Sequence, residues 1–357
     1  MAAAAVEIEN AAMFCMQCEQ TARKDGVSFG CTVKGVCQKD AEVAGLQDHL
    51  IYGLECLSSF ACQLDDKDFT QELAFLMSEG LFATLTNVNF AANDFVLLIE
   101  KTFSFVKQVA AKIPGDKKPT WECSKWVPAL NEGKDGLVKQ ARAFLISKRF
   151  AKLGKDRVSL QELIVYGIKG VAAYAHHSAV LGSDIRKEMK EIAKLLGHTI
   201  QIPDPTVDEL LAGALKVGEI NLAVMGILDA ANTGHYGNPT PTKIDWVMIN
   251  NQGAAPKPGK CVLVSGHDLL ELERLLTQIE EKGMNINVYT HGEMLPALAY
   301  PHLKAHKSLA GHYGTAWQNQ KAEFAAFPGP IVMTTNCYIP APDSYLSRVF
   351  GCAPVGG

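Results

Sequence analysis

The chain has 357 residues, 48% of them hydrophobic and 20% charged, a mixture that excludes disorder and leaves room for two or three domains, each with its own core. Its 34 basic and 38 acidic residues give a net charge of −4. With no Lys/Arg tract of the kind that grips phosphate backbones or anionic lipid, no nucleic acid is expected as a partner.

At the N-terminus, MAAAAVEIENAA contains Glu7 and Glu9 and no Lys or Arg, so it lacks the basic start of a secretory signal and the Arg-rich face of a transit peptide. A cytoplasmic location is the expectation, and there thiols stay reduced and clustered cysteines bind metal rather than form disulfides. Four of the ten cysteines follow at once, Cys15 and Cys18 in FCMQCEQT, then Cys31 and Cys37 in GCTVKGVC. A zinc knuckle uses two close Cys-x2-Cys pairs. Here the second pair is Cys-x5-Cys, which favours an iron–sulfur core over zinc without excluding zinc, although the order matches neither common ferredoxin run.

From about residue 40 to residue 230 the apolar positions recur at three and four, the helical period. Val43, Leu46, Leu50, Leu54, Leu57 and Ala61 line one face between Asp40 and Leu64. Asn93 and Asp94 are expected caps for a helix through Phe95, Leu98, Ile99, Phe105 and Val109 that stops at Pro114-Gly115. Ser159 and Glu162 have capping-box spacing at the head of a helix through Ile164, Tyr166 and Val171. Residues 183–197 and 206–231 give two more, so a helical bundle is expected, least regular from Gly115 to Gly136. The longest apolar runs, such as Leu222 to Leu228, fall far short of the ~20 residues that span a bilayer, and no membrane span is expected.

After Gly234 short β-rich runs alternate with helical ones. Lys260 to Val264, Asn285 to Tyr289 and Pro330 to Met333 read as strands, Leu269 to Glu281 as an amphipathic helix, and the stretch between the last two strands as mostly helical. Such alternation predicts a parallel sheet, whose ligands bind at the carboxyl ends of the strands. Those ends read SGHD, THGE and TTNC, placing His267, Glu293 and Cys337 at equivalent positions. A nitrogen, a carboxylate and a thiolate together suit iron better than calcium or magnesium. Singly, each has a plain structural role. Asp268 or Ser265 could cap the helix, Glu293 could serve a helix start, and Cys337 could be an inert buried thiol. Core packing accounts for Cys56, Cys62 and Trp317, His176 and His177 sit mid-helix and point in different directions, and Cys123, Cys261 and Cys352 show no partner in the sequence.

FCMQCEQT with GCTVKGVC, LVSGHDLLELE, VYTHGEMLPA and YGTAWQNQKAEFAAFPGPIVMTTNC together resemble the hybrid cluster (prismane) proteins, a family of hydroxylamine reductases. The resemblance runs from residue 14 to about 350. It implies a helical domain followed by α/β domains related to carbon monoxide dehydrogenase, here 1–13 as an extension, 14–233 as the cysteine loop and bundle, and 234–357 as the α/β domain. It implies that Cys15, Cys18, Cys31 and Cys37 hold a proximal [4Fe–4S] or [2Fe–2S] cluster. It also implies that His267, Glu293 and Cys337 belong to the ligand set of a hybrid [4Fe–2O–2S] cluster. Family members draw further ligands from a third domain, so that cluster is expected to be incomplete in these 357 residues.

The implied reaction is two-electron reduction of hydroxylamine to ammonia and water, with nitric oxide and peroxide as other substrates and a redox protein as electron donor. No residue is assigned as proton donor. The competing expectations are a non-enzymatic iron–sulfur electron carrier or partner-binding protein and, more remotely, a structural zinc protein.

Overall fold

The computed structural model describes residues 11–24, 27–28, 30–242, 246–247, 259–352, 354 and 356. Two compact units divide the chain, one comprising Met1–Leu85, Phe90–Ala179 and Ser183–Ile227, the other Thr86–Asn89, Val180–Gly182 and Leu228–Gly357.

In the first unit the described residues 11–39 form loops and a two-stranded ribbon, β1 (Arg23–Lys24) and β2 (Val27–Ser28), paired antiparallel. Helix α1 (Ala41–Ala61) follows, opened by Asp40, whose side chain accepts from the Val43 N–H at 2.8 Å. The remaining helices are α2 (Gln71–Ala83), α3 (Ala92–Lys112), α4 (Gly133–Ala141), α5 (Ser147–Leu153), α6 (Lys155–Val180), α7 (Arg186–Gly197) and α8 (Val207–Tyr236). α1 packs against α3, α4 and α7. Its fully buried Leu46, Leu50, Leu54 and Leu57 join Phe95, Ile99, Ile164, Ile168, Met189 and Ile192 in one core, and each such side chain contributes roughly 1.5–3 kcal/mol relative to exposure.

Two helical expectations need correction. α3 starts earlier than Asn93, its N-cap is Ala91 without a side-chain cap, and both Asn93 and Asp94 lie inside its first turn. α6 begins at Lys155, after Gly154 turns the chain at φ 79°. Ser159 and Glu162 therefore lie within the helix, and Glu162 is engaged by Arg149 instead of a backbone N–H. The stretch Gly115 to Gly136 is three short 3-10 turns leading into α4.

α8 overturns the view that no segment reaches bilayer length. It is 30 residues long and, by length and composition, apolar enough to cross a membrane, with a mean hydropathy of 1.5 over its best window. Its charged residues are spread thinly enough to interrupt every apolar run while leaving the whole helix apolar. One face, with Leu210, Val217, Ile220 and Val224, is buried in the bundle core, so packing accounts for that part of its apolar character.

The second unit is built on a six-stranded sheet in the order β3-β6-β5-β4-β7-β8, every pair parallel. The strands are β3 (Trp246–Val247), β4 (Lys260–Ser265), β5 (Ile286–His291), β6 (Leu309–Tyr313), β7 (Ile331–Met333) and β8 (Val349–Gly351). α9 (Leu269–Glu281) lies between β4 and β5 in sequence, and its Leu272, Leu276 and Ile279 pack with Val264 and Val288 of the sheet. Between β5 and β7 the expected helical connection is interrupted by a strand, β6. A 3-10 stretch (Gly292–Leu298) and the short α10 (Pro301–Lys304) precede β6, and α11 (Gln320–Ala326) follows it.

Candidate metal centre

The described N-terminal loop draws Cys15 and Cys31 face to face in a single antiparallel bridge, with Cys15 N–H donating to the Cys31 carbonyl at 3.1 Å and the reverse bond at 2.8 Å. Cys18 sits in a turn closed by Thr21, whose hydroxyl donates to the Cys18 carbonyl at 2.6 Å. None of the four cysteines is in a disulfide. The Ala22 N–H points at Cys31 Sγ at 3.5 Å, a contact of the kind that tunes sulfur held by iron. A Cβ on Gly35 would stand 3.0 Å from Cys37 Sγ, so that glycine keeps the space beside the sulfur open. The structure thus pairs Cys15 with Cys31, but the four cysteines are not among the described groups whose ligand atoms lie within 4.8 Å of one another.

The sheet explains the second set. β5, β4 and β7 are adjacent and parallel, so their carboxyl ends emerge side by side and bring His267, Glu293 and Cys337 together. One ligand atom from each lies within 4.8 Å of the others. His267 Nε2 stands 2.9 Å from Glu293 Oε2 and 3.2 Å from Cys337 Sγ. The Asp268 side chain accepts from the N–H groups of Leu270 and Glu271 at 2.9 and 3.1 Å, capping α9 and leaving His267 outside the helix.

A hydrogen bond from His267 holds the Glu293 carboxyl below its usual range, whereas burial, and then the Glu293 carboxylate, push the Cys337 thiol up to about 12. A thiol so placed ionises only with a positive charge beside it, which is what a metal supplies. The donor set and its spacing fit an iron-containing group.

Residues 13–357 match the Prismane/CO dehydrogenase family. The chain belongs to that family. Among relatives of this Prismane chain, proteins named hydroxylamine reductase from Maridesulfovibrio salexigens and Solidesulfovibrio magneticus are each 43% identical over 346 residues. Another so named, from Methanocella arvoryzae, is 42% identical over 342 residues. These alignments cover 95–96% of the chain but only 60–61% of the relatives. Of the solved structures, carbon monoxide dehydrogenase IV from Carboxydothermus hydrogenoformans aligns over 97% of the Prismane chain and 50% of its own, at 15% identity and a TM-score of 0.37.

Sequence reasoning missed what holds the Prismane trio in place. Asn336 and Cys337 both have positive φ, 55° and 54°, a conformation that costs a non-glycine residue about 1–3 kcal/mol and persists only under constraint. Gln320 supplies the constraint. Its Nε2 donates to the Cys337 carbonyl at 2.5 Å and its Oε1 accepts from the Ile339 N–H at 3.3 Å. Gly266, at φ 104°, passes so close to the next loop that a Cβ would lie 2.3 Å from Thr334 Oγ1.

Behind the trio, Ser265 Oγ lies 3.0 Å from His291 Nδ1, and His291 Nε2 lies 2.9 Å from Glu323 Oε2. Ser265 and His291 are buried, which makes this chain of contacts a brace between strand ends. Only positional equivalence was available as a signal in the sequence, and Gln320 and Glu323 lie at no strand end.

Proposed function

We propose that this chain is an iron–sulfur oxidoreductase that reduces hydroxylamine, NH2OH + 2 e− + 2 H+ giving NH3 + H2O, with electrons delivered by a redox protein. The convergence of His267, Glu293 and Cys337 within 4.8 Å carries the reading. The name shared by relatives that align with nearly the whole chain supports an enzyme rather than an electron carrier. The chain spans about 60% of those relatives' length, so the activity named for them comes to it here as a proposal.

Cys15, Cys18, Cys31 and Cys37 would hold the electron-entry cluster, of [4Fe–4S] or [2Fe–2S] type. His267, Glu293 and Cys337 would supply part of the shell of a hybrid iron–sulfur–oxygen cluster. When bound, that group supplies the redox chemistry at the N–O bond. The chain's own part is to hold the donors. Gln320 fixes the Cys337 backbone, Asp268 caps α9 and frees His267, and Gly292, at φ 56°, turns the chain to aim Glu293. A cytoplasmic location, where thiols stay reduced, forms part of the proposal.

The test is anaerobic reconstitution with iron and sulfide, an iron count, and a reduced-dye assay with hydroxylamine. Cys337→Ala is expected to lower the iron bound per chain and to abolish turnover while preserving the visible absorbance that Cys15 to Cys37 support. Iron content equal to that of the unchanged protein would refute the assignment of Cys337.

A further inference from the structure

The helical unit holds a partly open cavity of about 600 Å³ between α1 and α6, with Cys15 in its wall. Its lining is unusual for a bundle interior. Asp48 and Glu55 enter from α1, Glu162 and Lys169 from α6, and Arg149 from α5. Buried charge is costly unless paired, and most of these groups are paired. Arg149 engages Glu162 and also donates to Gln161 at 3.1 Å, Gln201 donates to Glu55 at 2.9 Å, and Lys39 donates to Gln47 at 2.5 Å.

Asp48 is the exception. Its Oδ2 is closed off from solvent and has no hydrogen-bond partner. The charged groups facing it are Lys169 and Glu162 from α6, Lys39 from the segment before α1, and Arg149 from α5. Burial, reinforced by Glu162, outweighs the three cations and raises the Asp48 carboxyl well above the usual range. Lys169, which donates to the Thr84 carbonyl at 3.3 Å, lines the same cavity as Asp48 and Cys15.

We propose that this cavity is a proton-loading site, in which Asp48 takes up one proton as the Cys15–Cys37 site takes up one electron and releases it as the electron leaves. The inference rests on the reading that those four cysteines hold a redox cluster. An added electron places one more negative charge at the cavity wall, and in a low-dielectric interior the buried Asp48 carboxylate that lines the same cavity then binds a proton more tightly. The balance is simple. The electron comes from the donor protein, the proton comes from solvent, the Asp48 carboxylate becomes a carboxylic acid through one new O–H bond, and no other bond in the protein breaks. Glu55 is a poorer acceptor for this purpose because Gln201 already donates to it.

The test is the midpoint potential of the N-terminal cluster as a function of pH in the full reconstituted chain. The unchanged protein should lose potential with rising pH across the neutral range, at a slope approaching about 59 mV per unit for one proton per electron. Asp48→Asn should flatten that slope, and Glu55→Gln should keep it. A flat profile in the unchanged protein, an undiminished slope in Asp48→Asn, or a slope lost in Glu55→Gln alone overturns the proposal. If Asp48→Asn fails to hold a cluster, redox-difference infrared spectra of the unchanged protein decide. A protonated carboxyl band that grows on reduction and persists in Glu55→Gln supports Asp48, and its absence, or its loss in Glu55→Gln, rules Asp48 out. Failure of the unchanged protein to form any cluster would defeat both this inference and the reading beneath it, whereas a cluster with a flat profile defeats this inference alone.

Discussion

His49, fully buried on α1, shows how one side chain sets a pH limit. Trp126 Nε1 donates to its Nε2 at 3.1 Å, so that nitrogen is an acceptor and the proton resides on Nδ1, 3.2 Å from the Leu137 carbonyl. Burial lowers its pKa from 6.5 to about 4, against a smaller opposing effect of the Leu137 carbonyl. Between those values the unfolded chain binds more protons than the folded one. The contribution of His49 to stability is therefore complete above pH 6.5 and is lost as pH falls toward 4, by up to about 3 kcal/mol at ~1.4 kcal/mol per unit. Asp48 and Glu55, both raised by burial, run the opposite way over much of the same interval. The difference between urea unfolding curves of the unchanged protein and His49→Asn isolates the histidine, and is expected to shrink on acidification.

At the scale of elements, α7 meets α1 through a glycine. A Cβ on Gly197 would stand 2.5 Å from the Ser58 carbonyl carbon, so Gly197→Ala must push the helices apart, at about 1–3 kcal/mol. Gly170 in α6 has nothing within 4 Å of such a Cβ, and Gly170→Ala should be neutral or stabilise by up to about 1 kcal/mol. Thermal or chemical unfolding of the pair separates close packing from helix propensity. Which elements could be read in advance follows from the same physics. β4, β5 and β7 carry β-branched runs, and α9 carries a clear apolar face. β6, LAGHY, contains a glycine and no β-branched residue, and it is a strand because β5 and β3 flank it. Glu162 has capping-box spacing, but Arg149, thirteen residues away, claims its carboxylate. His267, Glu293 and Cys337 were legible because equivalent strand ends converge, while Gln320 acts across a fold that no spacing reveals.

For the whole molecule, the two ligand sets differ in how much chain must be in place before they exist. Cys15, Cys18, Cys31 and Cys37 lie within residues 15–37, and a short loop closes at little entropic cost. His267 and Cys337 are 70 residues apart and meet only after β4, β5 and β7 have paired in parallel, the slow kind of step that non-local contacts impose. Refolding the chain anaerobically with iron and sulfide should therefore restore its absorbance in two phases. Cys18→Ala should remove the faster phase and Cys337→Ala the slower one, and a single phase in the unchanged chain would contradict this order. During synthesis the contrast becomes a schedule. On the proposed assignments, the cysteine loop would receive iron while later residues are still being made, and the strand-end site would have no address for iron until the sheet is closed.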